Sequence, residues 1–135
     1  MDAPAAEKKK ILVADDDPMI LRVVEMMLGR HQLTVITASN GEEAFENALK
    51  EKPDAILLDI KMPKMDGFEV CAKLKATEAT AGIPVGFLTA KKEINSYKQA
   101  QKLGSILYVA KPFKPEQLIS AVGLLLSSRG RAAKF

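Results

Sequence analysis

The chain has 135 residues, 47% hydrophobic and 27% charged, an ordinary globular composition with enough material for one core. Twenty basic against seventeen acidic residues leave a net charge of +3. Lys8, Lys9, Lys10, Arg129, Arg131 and Lys134 hold six of those positive charges, so the interior is not a basic domain and the ends read as solvated termini. The single cysteine, Cys71, excludes an intramolecular disulfide. No apolar run approaches the roughly 20 residues of a membrane span, and the N-terminus lacks the apolar core of a signal peptide, so a soluble, cytoplasmic protein is expected.

Residues 1–9, rich in Ala, Pro and Lys without periodicity, read as a disordered leader, 10–128 as one domain and 129–135 as a basic tail. Ile11-Leu12-Val13-Ala14 is a short apolar strand ending in Asp15-Asp16-Asp17. Asp17 caps a helix whose first position suits Pro18 and whose inner face carries Ile20, Val23, Val24, Met27 and Leu28, up to Gly29. Leu33 to Thr37 is a second strand, and Ser39 with Glu42 makes a capping box ahead of Ala44, Phe45, Ala48 and Leu49. Ile56-Leu57-Leu58-Asp59 is an unbroken apolar run closed by one carboxylate, as in a strand buried on both faces. After the loop through Pro63, Asp66 with Glu69 opens a third helix running from Gly67 toward Thr77, with Cys71 on its apolar face. Pro84 to Thr89 is a fourth strand, unusual for Gly86 inside it. A weaker helix over Ile94 to Leu103 stops at Gly104, Ile106 to Ala110 is a fifth strand, and a last helix from Pro115 turns Leu118, Ile119, Val122, Leu125 and Leu126 inward.

Strands alternating with helices over short connections predict an α/β domain, a three-layer parallel sheet covered on both faces. In such sheets the ligand crevice lies beyond the carboxyl ends of the strands. Asp15 and Asp16 follow strand one, Asp59 ends strand three, Thr89 ends strand four and Lys111 follows strand five. Three carboxylates in one crevice repel unless a cation neutralises them, and all-oxygen ligands select a hard ion, Mg²⁺ with Mn²⁺ as a substitute. A hydroxyl and an ammonium opposite that ion suit the oxygens of a phosphoryl group on Asp59. Singly, each feature has a bland reading: a helix cap with solvated acids, a strand-end hydroxyl, a surface lysine.

With Ile11 to Asp16, Leu57 to Gly67 as LLDIKMPKMDG, Leu88-Thr89-Ala90 and Lys111-Pro112-Phe113 assembled, the chain resembles a response-regulator receiver domain of two-component signalling, similar to the chemotaxis regulator, over about residues 10 to 128. The resemblance implies a doubly wound, flavodoxin-like five-stranded sheet of order 2-1-3-4-5. It implies a phosphorylation-activated regulator in which Asp59 is the phosphoacceptor, served by a histidine kinase or phosphotransfer protein. Asp16, Asp59 and the backbone carbonyl of Lys61 would hold Mg²⁺, with Asp15 acting mainly through water. Thr89 and Lys111 would grip phosphoryl oxygens, a cis peptide before Pro112 would aim the lysine inward, and Tyr108 would be the aromatic switch. A downstream protein would bind the face made by the fourth helix, fifth strand and fifth helix. The chain would be a phosphoacceptor that assists its own phosphorylation and dephosphorylation, not an enzyme with a separate substrate; membrane insertion and direct nucleic-acid binding are not expected.

Two lysines stand where the family's hydrolysis rate is tuned: Lys61, two residues after Asp59, and Lys91, two after Thr89. Either they pair with phosphoryl oxygen and obstruct the attacking water, or they point into solvent. Gly86, where the family usually has an aliphatic residue, implies a soft fourth strand, a specialised partner surface or drift. Residues 127–135 are too few for an output domain, so the chain reads as a stand-alone receiver or as the excised input half of a larger regulator or hybrid kinase. Two other function classes compete. A Mg²⁺-dependent aspartyl-phosphate phosphohydrolase commonly has a second acid where Lys61 stands, and a degenerate scaffold would not need all five site residues. Flavin binding would need a Gly/Ser/Thr-rich first loop that is absent.

Overall fold

Short β-branched and leucine-rich runs become strands here, and the central ones are buried on two sides. The computed structural model of the chain describes residues 8–90 and 107–132. In order these form β1 (Lys10–Ala14), α1 (Pro18–Gly29), β2 (Thr34–Ala38), α2 (Gly41–Glu51), β3 (Ala55–Asp59), α3 (Gly67–Ala76), β4 (Val85–Ala90), β5 (Tyr108–Lys111) and α4 (Pro115–Ala132). The strands make one sheet of order β2-β1-β3-β4-β5 in which every pairing is parallel. The predicted helix over 94–103, together with Gly104, Ser105 and Ile106, lies outside the described residues.

Side chains alternate across the pleat into two cores. Leu12, Ala14, Ile56, Leu58, Val85 and Phe87 pack on one face beneath α2 and α3. Ile11, Val13, Ala55, Leu57 and Leu88 pack on the other with Leu21, Val24, Leu28, Leu118, Val122 and Leu125 of α1 and α4. All of β3, Asp59 included, is buried. A strand covered on both sides needs the continuous apolar run seen in the sequence.

Several sequence expectations shift. The cap of α2 is Asn40, not Ser39: Glu43 N–H donates to Asn40 Oδ1 at 2.8 Å, while Glu43 Oε1 accepts from Ser39 N–H, one residue before the cap, at 2.9 Å. Both spacings satisfy the pattern, and β2, running on to Ala38, pushes the cap one residue along. On α1 the buried residues are Leu21, Val24 and Leu28, so the inner stripe is rotated from the predicted one, which omitted Leu21. Leu49 stays 37% exposed at the edge of α2, and Leu107 precedes β5 instead of joining it. Ile119 and Leu126 are half-buried at the flank of α4. That helix continues to Ala132, past the predicted domain edge at 128. The capping box of Asp66 and Glu69 at α3 forms in both directions.

Gly86 receives a physical reason. A Cβ there would lie 3.2 Å from Leu107 Cδ2 and Leu57 Cδ2 and 3.4 Å from Leu125 Cδ1, so three leucines, from β3, from the residue before β5 and from α4, fill the space. The strand gives up a side chain and keeps a dense core.

Candidate functional site

Because the strands are parallel, their carboxyl ends meet along one edge of the sheet, and five chemically active residues arrive there from four separate parts of the chain. Asp15, Asp16 and Asp59 each offer a carboxylate oxygen, and these oxygens lie within 4.8 Å of one another. Asp15 is fully buried and Asp59 is 8% exposed, whereas Asp16 faces solvent. Asp15 is held from both sides: its backbone N–H donates to Ala38 O at 3.0 Å, and its Oδ1 accepts from Asp17 N–H at 2.9 Å.

Lys111 comes in from the end of β5, where its peptide bond to Pro112 is cis. Its Nζ lies 2.6 Å from Asp15 Oδ2 and 3.5 Å from Asp59 Oδ2, so one ammonium bridges two acids. The short contact with Asp15 is charge-assisted and gives the buried Oδ2 its partner. Thr89, buried at the end of β4, donates its hydroxyl to Ala90 O at 3.1 Å. Tyr108 is half-buried one strand over, its ring centroid 6.1 Å from that of Phe87. Lys61 is exposed in the loop after β3; Lys91 lies outside the described residues.

The electrostatics follow from the geometry. Burial, then the negative charge of Asp15, raise the Asp59 carboxyl from 3.8 to about 7; Asp16 adds to the rise and Lys111 opposes it. Burial by itself would lower the Lys111 ammonium, but its carboxylate partners, Asp15 first, prevail and hold it above its usual value. A cluster with more negative charge than its one ammonium balances, and with all-oxygen donors, fits a hard divalent cation, and these residues can hold one.

The loop that follows Asp59 is built tightly. Gly67 N–H donates to Ile60 O at 2.8 Å, and a Cβ on Gly67 would come within 2.5 Å of the Asp59 carbonyl oxygen, so only glycine lets α3 start so close to the acid. Lys64 takes a left-handed φ of 70°. Sequence reading placed the acids, Thr89 and Lys111 but not the packing of this loop, for which the only hint was glycine at its two neighbours, 41 and 67.

The response regulator receiver domain model matches residues 11–123. The chain belongs to the receiver family. Among curated relatives, this receiver is 42% identical over 118 residues to the alkaline phosphatase synthesis transcriptional regulatory protein PhoP of Bacillus subtilis, covering 87% of this chain and 48% of that one. It is 38% identical over 126 residues to the transcriptional regulatory protein ResD of the same organism, covering 93% and 51%. The chain thus spans about half the length of the curated relatives it matches. Among solved structures, the chemotaxis response regulator CheY4 of Vibrio cholerae superposes with a TM-score of 0.82 at 29% identity, covering 88% of this receiver and 99% of that chain. A response regulator receiver domain protein from Clostridium thermocellum gives 0.83 at 27% identity, covering 90% and 97%. These likenesses run through the sheet and both helical layers, so the flavodoxin-like fold expected from the sequence is the fold of the family.

Proposed function

We propose that this receiver takes a phosphoryl group on Asp59 from the phosphohistidine of a histidine kinase or phosphotransfer protein, and that the modification changes which protein it binds. The observation that carries the reading is the meeting of Asp15, Asp16, Asp59, Thr89 and Lys111 at one sheet edge. Asp59 Oδ attacks phosphorus in line, the new P–O bond forms as the P–N bond to the histidine breaks, and the imidazole leaves with the electron pair. Positioning and charge neutralisation suffice for such a transfer. Asp16, Asp59 and the Lys61 carbonyl, with Asp15 behind them, would hold Mg²⁺ or Mn²⁺, which when bound would supply positive charge to favour ionised Asp59 and to offset the phosphoryl oxygens.

The chain's own groups do the rest. Lys111 sits 3.5 Å from Asp59 and can follow the added charge, leaving Asp15. The Thr89 hydroxyl exchanges its bond to Ala90 O for a phosphoryl oxygen. That movement loosens the space beside Tyr108, whose ring already leans on Phe87, and biases the surface around β5 and α4 on which a downstream protein docks. Lys61 and Lys91 are proposed to slow hydrolysis of the acyl phosphate by shielding it from water.

Among the described residues no helix is long and apolar enough to cross a membrane, and we read the protein as cytoplasmic. The transcriptional relatives named above extend beyond the matched half; DNA binding by a protein containing this receiver would be the work of such a further region, the receiver acting through protein contacts.

Intact-mass spectrometry after incubation with acetyl phosphate tests the reading. One phosphoryl adduct is expected that requires both Mg²⁺ and Asp59 and is absent from Asp59→Asn. An adduct formed equally without the metal, or retained in the variant, would sink it; Mg²⁺ binding with no adduct from acetyl phosphate or a phosphorylated histidine donor would favour the scaffold.

A further inference from the structure

The loop bearing Lys61 is braced at a second point, outside the acidic cluster. Gly41, the first residue of α2, is buried against the backbone of Met65. A Cβ at position 41 would fall on the Met65 carbonyl oxygen, and would lie 2.6 Å from its carbonyl carbon and 2.7 Å from its Cβ. The atoms in the way are chiefly backbone, which cannot swing aside as a flexible side chain can. Gly41 N–H points to Pro63 O at 3.4 Å, and the same oxygen accepts Met65 N–H at 2.8 Å. Lys64, in its left-handed conformation between them, lines a shallow polar depression with Asn40, Glu42 and Glu43. The start of α2 is itself fixed by Asn40 and Glu43. The segment between Asp59 and Gly67 is therefore clamped between two glycines, Gly67 at the acid's own carbonyl and Gly41 at the loop's far end.

We infer that Gly41 is a positioning residue for the metal and phosphoryl site: by letting α2 abut the 63–65 backbone it sets where the Lys61 carbonyl stands relative to Asp59. This rests on the receiver reading, in which that carbonyl is a metal ligand. A side chain at 41 pushes the loop outward while β1, β3 and β5 keep the three acids and Lys111 in place. The site then loses its backbone ligand, not its charge. Groups that orient metal ligands typically carry about tenfold or more in affinity, so Gly41→Ala is expected to weaken metal binding by about tenfold.

The probe is Mn²⁺ alone, titrated into the full chain and followed by electron paramagnetic resonance, with circular dichroism to verify folding. Gly82→Ala is the control, because nothing lies within 4 Å of a Cβ there. Folded Gly41→Ala with weakened Mn²⁺ binding, beside an unaltered Gly82→Ala, supports the inference; folded Gly41→Ala with wild-type affinity overturns it. If Gly41→Ala does not fold, the wild type still decides. Its Gly41 and Met65 amide resonances should shift as Mg²⁺ saturates, and stationary resonances, with those at the three acids moving, overturn the inference and leave the receiver reading intact. A wild type that binds neither ion overturns both.

Discussion

Asp59→Asn is expected to stabilise the metal-free protein at mildly alkaline pH, although it removes the proposed phosphoacceptor. At an effective dielectric constant of about 20, each neighbouring carboxylate within 4.8 Å costs ionised Asp59 at least about 3 kcal/mol, and Lys111 at 3.5 Å returns about 5 kcal/mol. The repulsions win by about 2 kcal/mol, and burial adds to the penalty. The rise of the carboxyl from 3.8 to about 7 corresponds to about 4 kcal/mol against ionisation. The sign is that of a raised acid: its favourable contribution is complete below 3.8 and is lost as pH climbs through about 7. Asparagine keeps the shape without the charge, so urea unfolding in chelator at about pH 8 should show the variant more stable by about 2–4 kcal/mol, with the gap closing toward about pH 4. Saturating Mg²⁺ should reverse the order, because the wild type gains more from the ion. A gap that ignores pH between about 4 and 8, or a variant less stable in chelator at about pH 8, would refute the electrostatic account.

Lys111→Met should lower metal-free stability by about 3 kcal/mol, since it strands the buried Asp15 carboxylate without its ammonium, and denaturant titration measures the loss. Gly86→Leu should cost about 1–3 kcal/mol, because three leucines already occupy the space, and a thermal melt should show the midpoint fall. Burial pushes the Cys71 thiol up despite the counter-effect of Lys75, so a thiol reagent should leave it untouched in the native chain at about pH 8 and label it fully in urea. Lys61→Ala should shorten the lifetime of the phosphorylated form by about threefold, the worth of one solvent-exposed ion pair, as read from the decay of the mass adduct.

The parts of the fold legible in the sequence were those in which one residue type does one job. An unbroken apolar run meant a strand buried on both faces, an acid at its end meant the sheet edge, and Asp66 with Glu69 marked a helix start. Less legible were the places where two registers met the same rule. Ser39 and Asn40 each stand three residues before a glutamate, and the length of β2 decides which becomes the cap. The rotation of α1 toward Leu21 depends on how it lies against β1 and α4, which periodicity alone does not fix. The site divides in the same way. Sequence gathered the acids, Thr89 and Lys111 at one edge by topology, but the closer approach of Lys111 to Asp15 than to Asp59 is a matter of ångströms. The backbone-to-backbone contact between residues 41 and 65 leaves no trace in composition beyond a glycine.

The parallel register has a consequence for how the protein comes into being. Within the domain Asp15 is made early and Lys111 late, with Asp59 and Thr89 spaced between. A nascent chain halted before β5 lacks the ammonium that balances its buried acids. On the proposed function, the full set of groups that would receive a phosphoryl group is therefore assembled only when synthesis of the sheet is finished.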